Sequence, residues 1–208
     1  MSLSTFDDLP GLLTRLTGDE KHDGSSFSTL DVLWVLFDSV LGPDDAFLLS
    51  KGHGPTAFYA VLAAKGLIPV EELDRFGAFD SSLGHHPDRL LVPAAGIGSG
   101  SLGHGLAIGV GRALAGRRTF VLLGDGELDE GSNWEAVQYA GRVGLDPLTA
   151  VVVDNASSTY HWPGGIAERF ALEGWDALRV DGRDHDALEA ELSYQGGRPR
   201  CVVADIRR

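Results

Sequence analysis

An aspartate between two glycines ends one of the strand-length apolar runs of this chain. The stretch LLGDGELDEGSN, residues 122–133, follows the residues RTFV and places Asp125 between Gly124 and Gly126. An ionised carboxylate at the end of a buried strand is costly unless it has a partner. A metal ion, a run of backbone amides or water could each be that partner.

A second set of oxygen-bearing side chains ends the next apolar run, LTAVVVDN, which closes on Asp154 and Asn155. Mg²⁺ prefers octahedral oxygen coordination and commonly takes one or two carboxylates, a carbonyl and the oxygens of a phosphorylated ligand. Asp125 and Asn155 fit this set, and a turn after Asn155 can add the backbone carbonyl of Ser157. The glycines beside Asp125 would let a diphosphate approach the backbone. Taken separately, GDG is a turn and DN is a cap, but together they favour a metal site.

The elements that must position these residues follow from the alternation of apolar runs and helical patterns. This alternation predicts a three-layer α/β fold, a parallel sheet flanked by helices. A right-handed helical crossover would make the strands before Asp125 and Asn155 parallel neighbours. Their carboxyl ends would meet at one edge of the sheet, where such sheets bind ligands. The expected strands span 46–50, 119–123, 148–154, 175–182 and 201–206, and the expected helices span 28–42, 55–66, 69–77, 104–116, 129–144 and 184–193.

The composition indicates one globular domain over residues 1–208. Hydrophobic residues make up 43% and charged residues 23%, the balance of ordinary soluble proteins. The net charge of −13 argues against non-specific binding to nucleic acid or to anionic membranes. The single cysteine, Cys201, can form no intrachain disulfide, and neither a signal peptide nor a membrane-spanning stretch is evident. A cytoplasmic location is therefore expected.

Four segments carry a resemblance to a known family. GDGELDEGSNWEA, followed by VVVDN, is similar to the thiamine-diphosphate and magnesium motif of thiamine enzymes. LLSKGHGPTAFYA, SGSLGHGLAIGVGRALA and KHDGSSFSTLDVLWVLF resemble three further segments of transketolases, and all four stand in the family's order. The similarity runs from about His22 to the last strand. It resembles the N-terminal half or N-terminal subunit of a transketolase, with the thiamine-diphosphate-binding fold.

The resemblance implies a site for thiamine diphosphate and Mg²⁺. Asp125 and Asn155 would bind the metal through their side chains, and Ser157 would bind it through its carbonyl. His53 would reach the diphosphate. The other implied cofactor contacts are Gly124 and Gly126 beside the diphosphate, and Gly100 and Leu102 beside the aminopyrimidine.

The resemblance also implies catalytic residues. His53 would act at the reacting centre as well as on the diphosphate, and His22 would face substrate oxygens. His86 matches the histidine of the family's GHP segment, although the adjacent His85 leaves the register open. Glu130 matches an acid that, in the family, contacts the partner half and belongs to a proton relay between sites.

The implied function is the transfer of a two-carbon ketol unit, or a related carboligation, by half of an active site. In the family, a carboxylate of a pyrimidine-binding domain activates the cofactor, and no such domain is recognisable here. The resemblance therefore implies a separate C-terminal subunit, an α₂β₂ assembly and an inactive isolated chain. Two alternatives stay open. One is the α subunit of a 2-oxo acid dehydrogenase or decarboxylase, a group that shares GDG and N but lacks the GHG and GSLG segments present here. The other is a non-catalytic scaffold subunit.

The sequence departs from the family pattern at several positions. The family's T-KGKG segment and its histidine are not matched, so His161 is a candidate substitute. Ala156 stands where glycine is common, and the turn is therefore expected to avoid a left-handed conformation. His104 stands where glutamine is common. Asp129 is expected to face solvent. Lys51 is expected to be a surface charge, with the alternative that it steers a phosphate.

Overall fold

Five parallel strands form one sheet in the computed structural model, which describes residues 5–206. The strands are β1 (Ala46–Leu49), β2 (Thr119–Gly124), β3 (Leu148–Asp154), β4 (Asp176–Asp181) and β5 (Arg200–Asp205). The α-helices of residues 5–206 are α1 (Leu9–Leu13), α2 (Asp23–Phe27), α3 (Leu30–Val35), α4 (Thr56–Ala64), α5 (Gly105–Leu114), α6 (Gly131–Val143), α7 (Ile166–Leu172) and α8 (His185–Ser193). The strand order across the sheet is β1-β2-β3-β5-β4.

The central strands are apolar because both of their faces are covered. Every residue of β2 and β3 is buried, as expected for parallel strands between two helical layers. The edge strand β4 is less covered and alternates between half-buried and exposed residues at its end. The predicted parallel sheet is thus confirmed, and β3 matches its expected bounds at both ends.

Two hydrophobic cores lie on opposite faces of the sheet. One core contains residues of α1, α3, α4 and α8, with Phe58 and Tyr59 among its largest fully buried side chains. The other contains residues of α5, α6 and α7, including Val137 and Phe170. The three-layer architecture expected from the sequence is therefore confirmed.

Helix α5 packs very closely on the sheet because Gly109 has no side chain. A Cβ atom at Gly109 would overlap the Cγ2 atom of Val121 in β2. The loop that precedes α5 carries the SGSLG segment. The close packing of α5 on β2 therefore sets how near this segment lies to the carboxyl edge of the sheet.

Three helical predictions need correction. The segment 69–77 forms only a 3₁₀ helix, Val70–Arg75, in which Leu73 is the one buried residue. The expected helix 28–42 starts later, as α3, and continues as a π-helical segment, Leu36–Val40. Helix α7 lies in a segment for which no helix was predicted. Within residues 5–206, no helix is long and apolar enough to cross a membrane.

Candidate functional site

The GDG and DN segments meet at the carboxyl edge of the sheet. Gly124 in β2 is paired with Val153 in β3, and the Asp125 amide donates a 3.0 Å hydrogen bond to the Val153 carbonyl. Helix α6 connects the two strands as the predicted crossover. Asp125 therefore lies beside the end of β3, where Asn155 follows, as the sequence predicted.

The carboxylate of Asp125 is buried and is bound by the loop that follows β3. Its side chain accepts a hydrogen bond from Ser157 Oγ at 2.5 Å and another from the Ser158 amide at 2.9 Å. A Cβ atom at Gly126 would lie 3.5 Å from the Ser157 carbonyl oxygen, so this carbonyl is close to the GDG turn. The structure thus brings Asp125, Gly126 and Ser157 together.

Asn155 holds a buried oxygen for which the protein supplies no hydrogen bond. Its Nδ2 atom donates to Ser28 Oγ at 3.0 Å, which orients the amide. Its Oδ1 atom is buried and has no hydrogen-bond partner within residues 5–206. Buried polar atoms are rarely left unpaired, and an amide oxygen near a buried carboxylate suits a hard divalent cation. The residues present therefore fit Mg²⁺.

This donor set differs from a metal site built from histidines, cysteines and carboxylates. Among residues 5–206, no three His, Cys, Asp or Glu side chains are grouped to hold a metal ion. Mg²⁺ needs few of them, because one carboxylate, an amide or carbonyl oxygen and the phosphate oxygens of a ligand can complete its shell. Asp125, Asn155 and the Ser157 carbonyl supply such a set.

The turn after Asn155 is strained, which contradicts the sequence-based expectation. Ala156 has φ of 61°, in the left-handed region that favours glycine. The hydrogen bonds from Ser157 and Ser158 to Asp125 fix this turn, so tertiary contacts override the local preference of alanine. The other non-glycine residues with positive φ in the described part of the chain, His161 and Trp162, lie in the same loop. Such strain clusters at functional sites.

Asp129 is half-exposed and also binds this loop, a contact that was not predicted. Its carboxylate accepts hydrogen bonds from Ser158 Oγ at 2.6 Å and from the Thr159 amide at 2.8 Å. The two aspartates of the GDGELD turn, Asp125 and Asp129, thus both bind the loop after β3. The spacing of the carboxylates in the sequence gives no sign of this contact.

Lys51 is buried rather than at the surface. Its Nζ atom donates to the carbonyl oxygen of Ser25 at 2.9 Å and to Ser25 Oγ at 2.6 Å. Burial lowers the pKa of this ammonium to about 8, while the carboxylates of Glu127 and Asp125 act in the opposite direction. A positive charge is therefore held below the GDG turn, where a diphosphate would need one.

Glu127 is a buried carboxylate that the sequence-based reasoning did not single out. Its Oε1 atom accepts hydrogen bonds from Ser50 Oγ, at the end of β1, and from the Gly103 amide at 3.0 Å. Burial raises the pKa of Glu127, and these hydrogen bonds and Lys51 oppose that shift. Glu127 therefore connects the end of β1, the SGSLG loop and the GDG turn.

Three histidines predicted at the site form one row. The ring centroids of His53 and His86 are 4.8 Å apart, and those of His22 and His53 are 6.1 Å apart. Burial lowers the pKa of His53, and the neighbouring His86 and His22 lower it further. His85 instead packs against Phe76, with 5.0 Å between the ring centroids. The structure thus groups His86, not His85, with His53.

The SGSLG loop lies beside this row and beside the start of α6. A Cβ atom at Gly100 would be 2.8 Å from Cδ2 of His86, so only glycine allows this approach. Leu102 is half-buried, and Glu130 is exposed with its Cβ close to Gly103. His161 is exposed and lines a cavity of about 400 Å³ that Asp125 also lines.

The fold and the site together define the class of protein. Residues 18–197 match the family model described as the thiamine diphosphate binding domain of transketolase. The chain belongs to the transketolase family. It contains the cofactor-binding, N-terminal part of a thiamine-diphosphate-dependent transferase, as the resemblance in the sequence implied.

Curated relatives and solved structures agree with this assignment. The chain is 48% identical to "Ferredoxin fas2" of Rhodococcoides fascians, over 98% of the chain and 73% of that protein. It is 39% identical to one subunit of the apulose-4-phosphate transketolase of Actinobacillus succinogenes, over 90% of the chain and 76% of the relative. Transketolase from Leishmania mexicana superposes with a TM-score of 0.79 at 25% identity, over 98% of this chain. The chain spans 37% of that longer transketolase.

The name of the first relative does not apply to this chain. Iron–sulfur clusters of ferredoxins are held by several cysteine thiolates. This chain has a single cysteine, Cys201, which is buried within β5.

Proposed function

We propose that this chain is the diphosphate- and metal-binding subunit of a two-component transketolase. With a pyrimidine-binding partner subunit, it would transfer a two-carbon ketol unit from a ketose to an aldehyde. An α₂β₂ assembly, with the cofactor between the two kinds of subunit, suits this division. Support comes from relatives whose names describe them as single subunits of an apulose-4-phosphate transketolase and of a 6-deoxy-6-sulfo-D-fructose transketolase.

One observation carries the proposal. The unpaired, buried Oδ1 atom of Asn155 lies at the same sheet edge as the buried carboxylate of Asp125. A scaffold protein would gain nothing from leaving this oxygen without a hydrogen bond, which costs about 1–3 kcal/mol. A metal ion that carries a diphosphate would satisfy both groups.

The roles of this chain's residues follow from their surroundings. Asp125, Asn155 and the Ser157 carbonyl would hold Mg²⁺, and Lys51 would offset the negative charge of the diphosphate from below. The lowered pKa of His53 keeps its imidazole neutral near pH 7, so it can accept a proton. His22 and His86, on either side of His53, would hydrogen-bond substrate oxygens. Thiamine diphosphate supplies the electron sink for breaking a carbon–carbon bond beside a carbonyl.

The metal assignment is tested with Asp125→Asn, which keeps the shape of the side chain but removes its charge. With the partner subunit present, saturating Mg²⁺ and thiamine diphosphate should raise the melting temperature of the wild-type protein, because a ligand at 100 times its Kd stabilises by about 2.7 kcal/mol. We expect Asp125→Asn to lose this stabilisation. Asp146→Asn, an exposed carboxylate in the loop before β3, is the matched control. Full stabilisation of the Asp125 variant would disprove the metal site.

The type of reaction is tested separately with substrates. Ketose donors and aldehyde acceptors should support turnover by the complex, and pyruvate-like acids should not. Turnover of 2-oxo acids without ketol transfer would instead identify the complex as a 2-oxo acid dehydrogenase or decarboxylase.

A further inference from the structure

Asp19 is a buried carboxylate beside the histidine row that neither the motifs nor the proposed function explains. Its side chain is only 2% exposed, and its Oδ1 atom lies 2.7 Å from Nδ1 of His22. The Oδ2 atom is buried and has no hydrogen-bond partner in the described part of the chain. The main side-chain partner of the Asp19 carboxylate is therefore the imidazole of His22.

His22 is positioned by one contact at its ring and one at its backbone. The short 3₁₀ turn Glu20–His22 brings Asp19 and His22 together, three residues apart. The loop after β1 packs closely against the backbone of His22, since a Cβ atom at Gly54 would lie 3.0 Å from the His22 carbonyl oxygen. The other nearby imidazole, His85, has its Nδ1 atom 3.7 Å from Asp19 Oδ1, which is beyond a good hydrogen bond. His22 is thus the main partner of this carboxylate.

This contact selects one tautomer of His22. An ionised carboxylate only accepts hydrogen bonds, so the nitrogen that faces it must carry the proton. With Nδ1 protonated, the neutral imidazole has an unprotonated Nε2 that can accept a hydrogen bond or a proton. The same arrangement of carboxylate and histidine orients catalytic and metal-binding histidines in other proteins.

We propose that Asp19 is a positioning residue that holds His22 as its Nδ1–H tautomer, so that Nε2 accepts a hydrogen bond from a substrate hydroxyl. The identity of the hydroxyl-bearing substrate rests on the proposed ketol transfer. The tautomer of His22 does not rest on the proposed ketol transfer, because it is a property of this chain before any cofactor or substrate binds.

The tautomer is measured by NMR on the chain labelled with ¹⁵N-histidine, with His22→Gln used to assign the signals. At a pH where the neutral imidazole of His22 dominates, wild-type His22 should show a protonated Nδ1 and an unprotonated Nε2. The reverse tautomer in the wild-type chain would overturn the proposal without any variant. This measurement also remains decisive if a substitution at Asp19 prevents folding.

The isosteric variant Asp19→Asn tests whether the carboxylate sets this state. Its amide can donate to Nδ1, so we expect a mixture of tautomers or the Nε2–H form. Asp23→Asn removes an exposed carboxylate one residue after His22 and should leave the His22 signals unchanged. An unchanged tautomer in Asp19→Asn would assign Asp19 a purely structural role.

The catalytic consequence is measured in the complex with the partner subunit, Mg²⁺ and thiamine diphosphate. We expect Asp19→Asn to lower kcat/KM by about 10- to 100-fold, the usual effect of removing a residue that orients a functional histidine. The affinity for thiamine diphosphate should stay at the wild-type value. A matching loss of cofactor affinity, or wild-type kcat/KM, would contradict the positioning role. Absence of ketol transfer in the wild-type complex would instead refute the proposed function, while the NMR result would still decide the tautomer.

Discussion

Around the GDG turn, each buried charge has at least one protein partner, whereas the Asn155 amide oxygen has none within residues 5–206, and Oε2 of Glu127 and Oδ1 of Asn133 are likewise unpaired there. The Lys51 ammonium is bound by Ser25, and the Asp125 carboxylate accepts hydrogen bonds from Ser157 and Ser158. A cation bound at this edge of the sheet, as proposed above, would recover the free energy lost at Asn155. The strained backbone of Ala156, next in the chain, leads into the Ser157 hydroxyl and the Ser158 amide that bind Asp125.

Replacing Ala156 with glycine should stabilise the protein. Alanine in the left-handed region costs roughly 1–2 kcal/mol, and glycine avoids this cost at the expense of some unfolded-state entropy. We expect Ala156→Gly to raise the free energy of unfolding by up to about 1 kcal/mol in urea denaturation.

The control for this prediction is Ala107→Gly in α5. Ala107 is exposed in the interior of a helix, so glycine there should lower the free energy of unfolding by about 0.5–1 kcal/mol. Loss of stability in both variants would show that the left-handed conformation of Ala156 is not strained.

At the scale of elements, the sequence predicted the parts of the fold that depend on local pattern. The strand β3 and the crossover from Asp125 to Asn155 were correct, because buried parallel strands are continuous apolar runs with polar ends. The surface position predicted for Lys51 was wrong, and the contact of Asp129 with the loop after β3 was not predicted. Each contact is made with a distant segment, since Lys51 binds Ser25. The hydrophobic pattern of a sequence contains no information about such polar contacts between distant segments.

The close packing of α5 on β2 gives a prediction at this scale. Gly109→Ala would place a methyl group against Val121, and overpacking of this kind costs typically about 1–3 kcal/mol. The variant should also displace the preceding SGSLG loop and therefore weaken the binding of thiamine diphosphate by the complex. Urea denaturation and cofactor titration measure the two effects.

Gly111→Ala in the same helix is the matched control. A Cβ atom there would have no neighbour within 4 Å, so alanine should stabilise α5 by about 0.5–1 kcal/mol. Equal effects of the two substitutions would show that helix propensity, not packing on β2, decides the result at Gly109.

At the scale of the whole molecule, the candidate groups lie together at the carboxyl ends of the strands. This edge and the loops beside it contain the histidine row, the proposed metal ligands and the SGSLG loop. In the proposed function, these residues hold a diphosphate and a metal and accept protons from a substrate. Glu130, which the resemblance identifies with the acid that contacts the partner half, is exposed at the start of α6.

If the proposed two-subunit function holds, the chain and a pyrimidine-binding partner subunit should each be inactive and become active when mixed. We expect ketol transfer to be undetectable with this chain, Mg²⁺ and thiamine diphosphate, and to rise with added partner until a fixed ratio is reached, which would be 1:1 for α₂β₂. Glu130→Ala should lower turnover at saturating partner or raise the partner concentration needed, because the side chain is exposed where the partner would contact α6. Asp146→Ala, on the opposite edge of the sheet, should change neither. Ketol transfer by the purified chain, at a rate unaffected by the partner, would show that this one domain holds a complete active site.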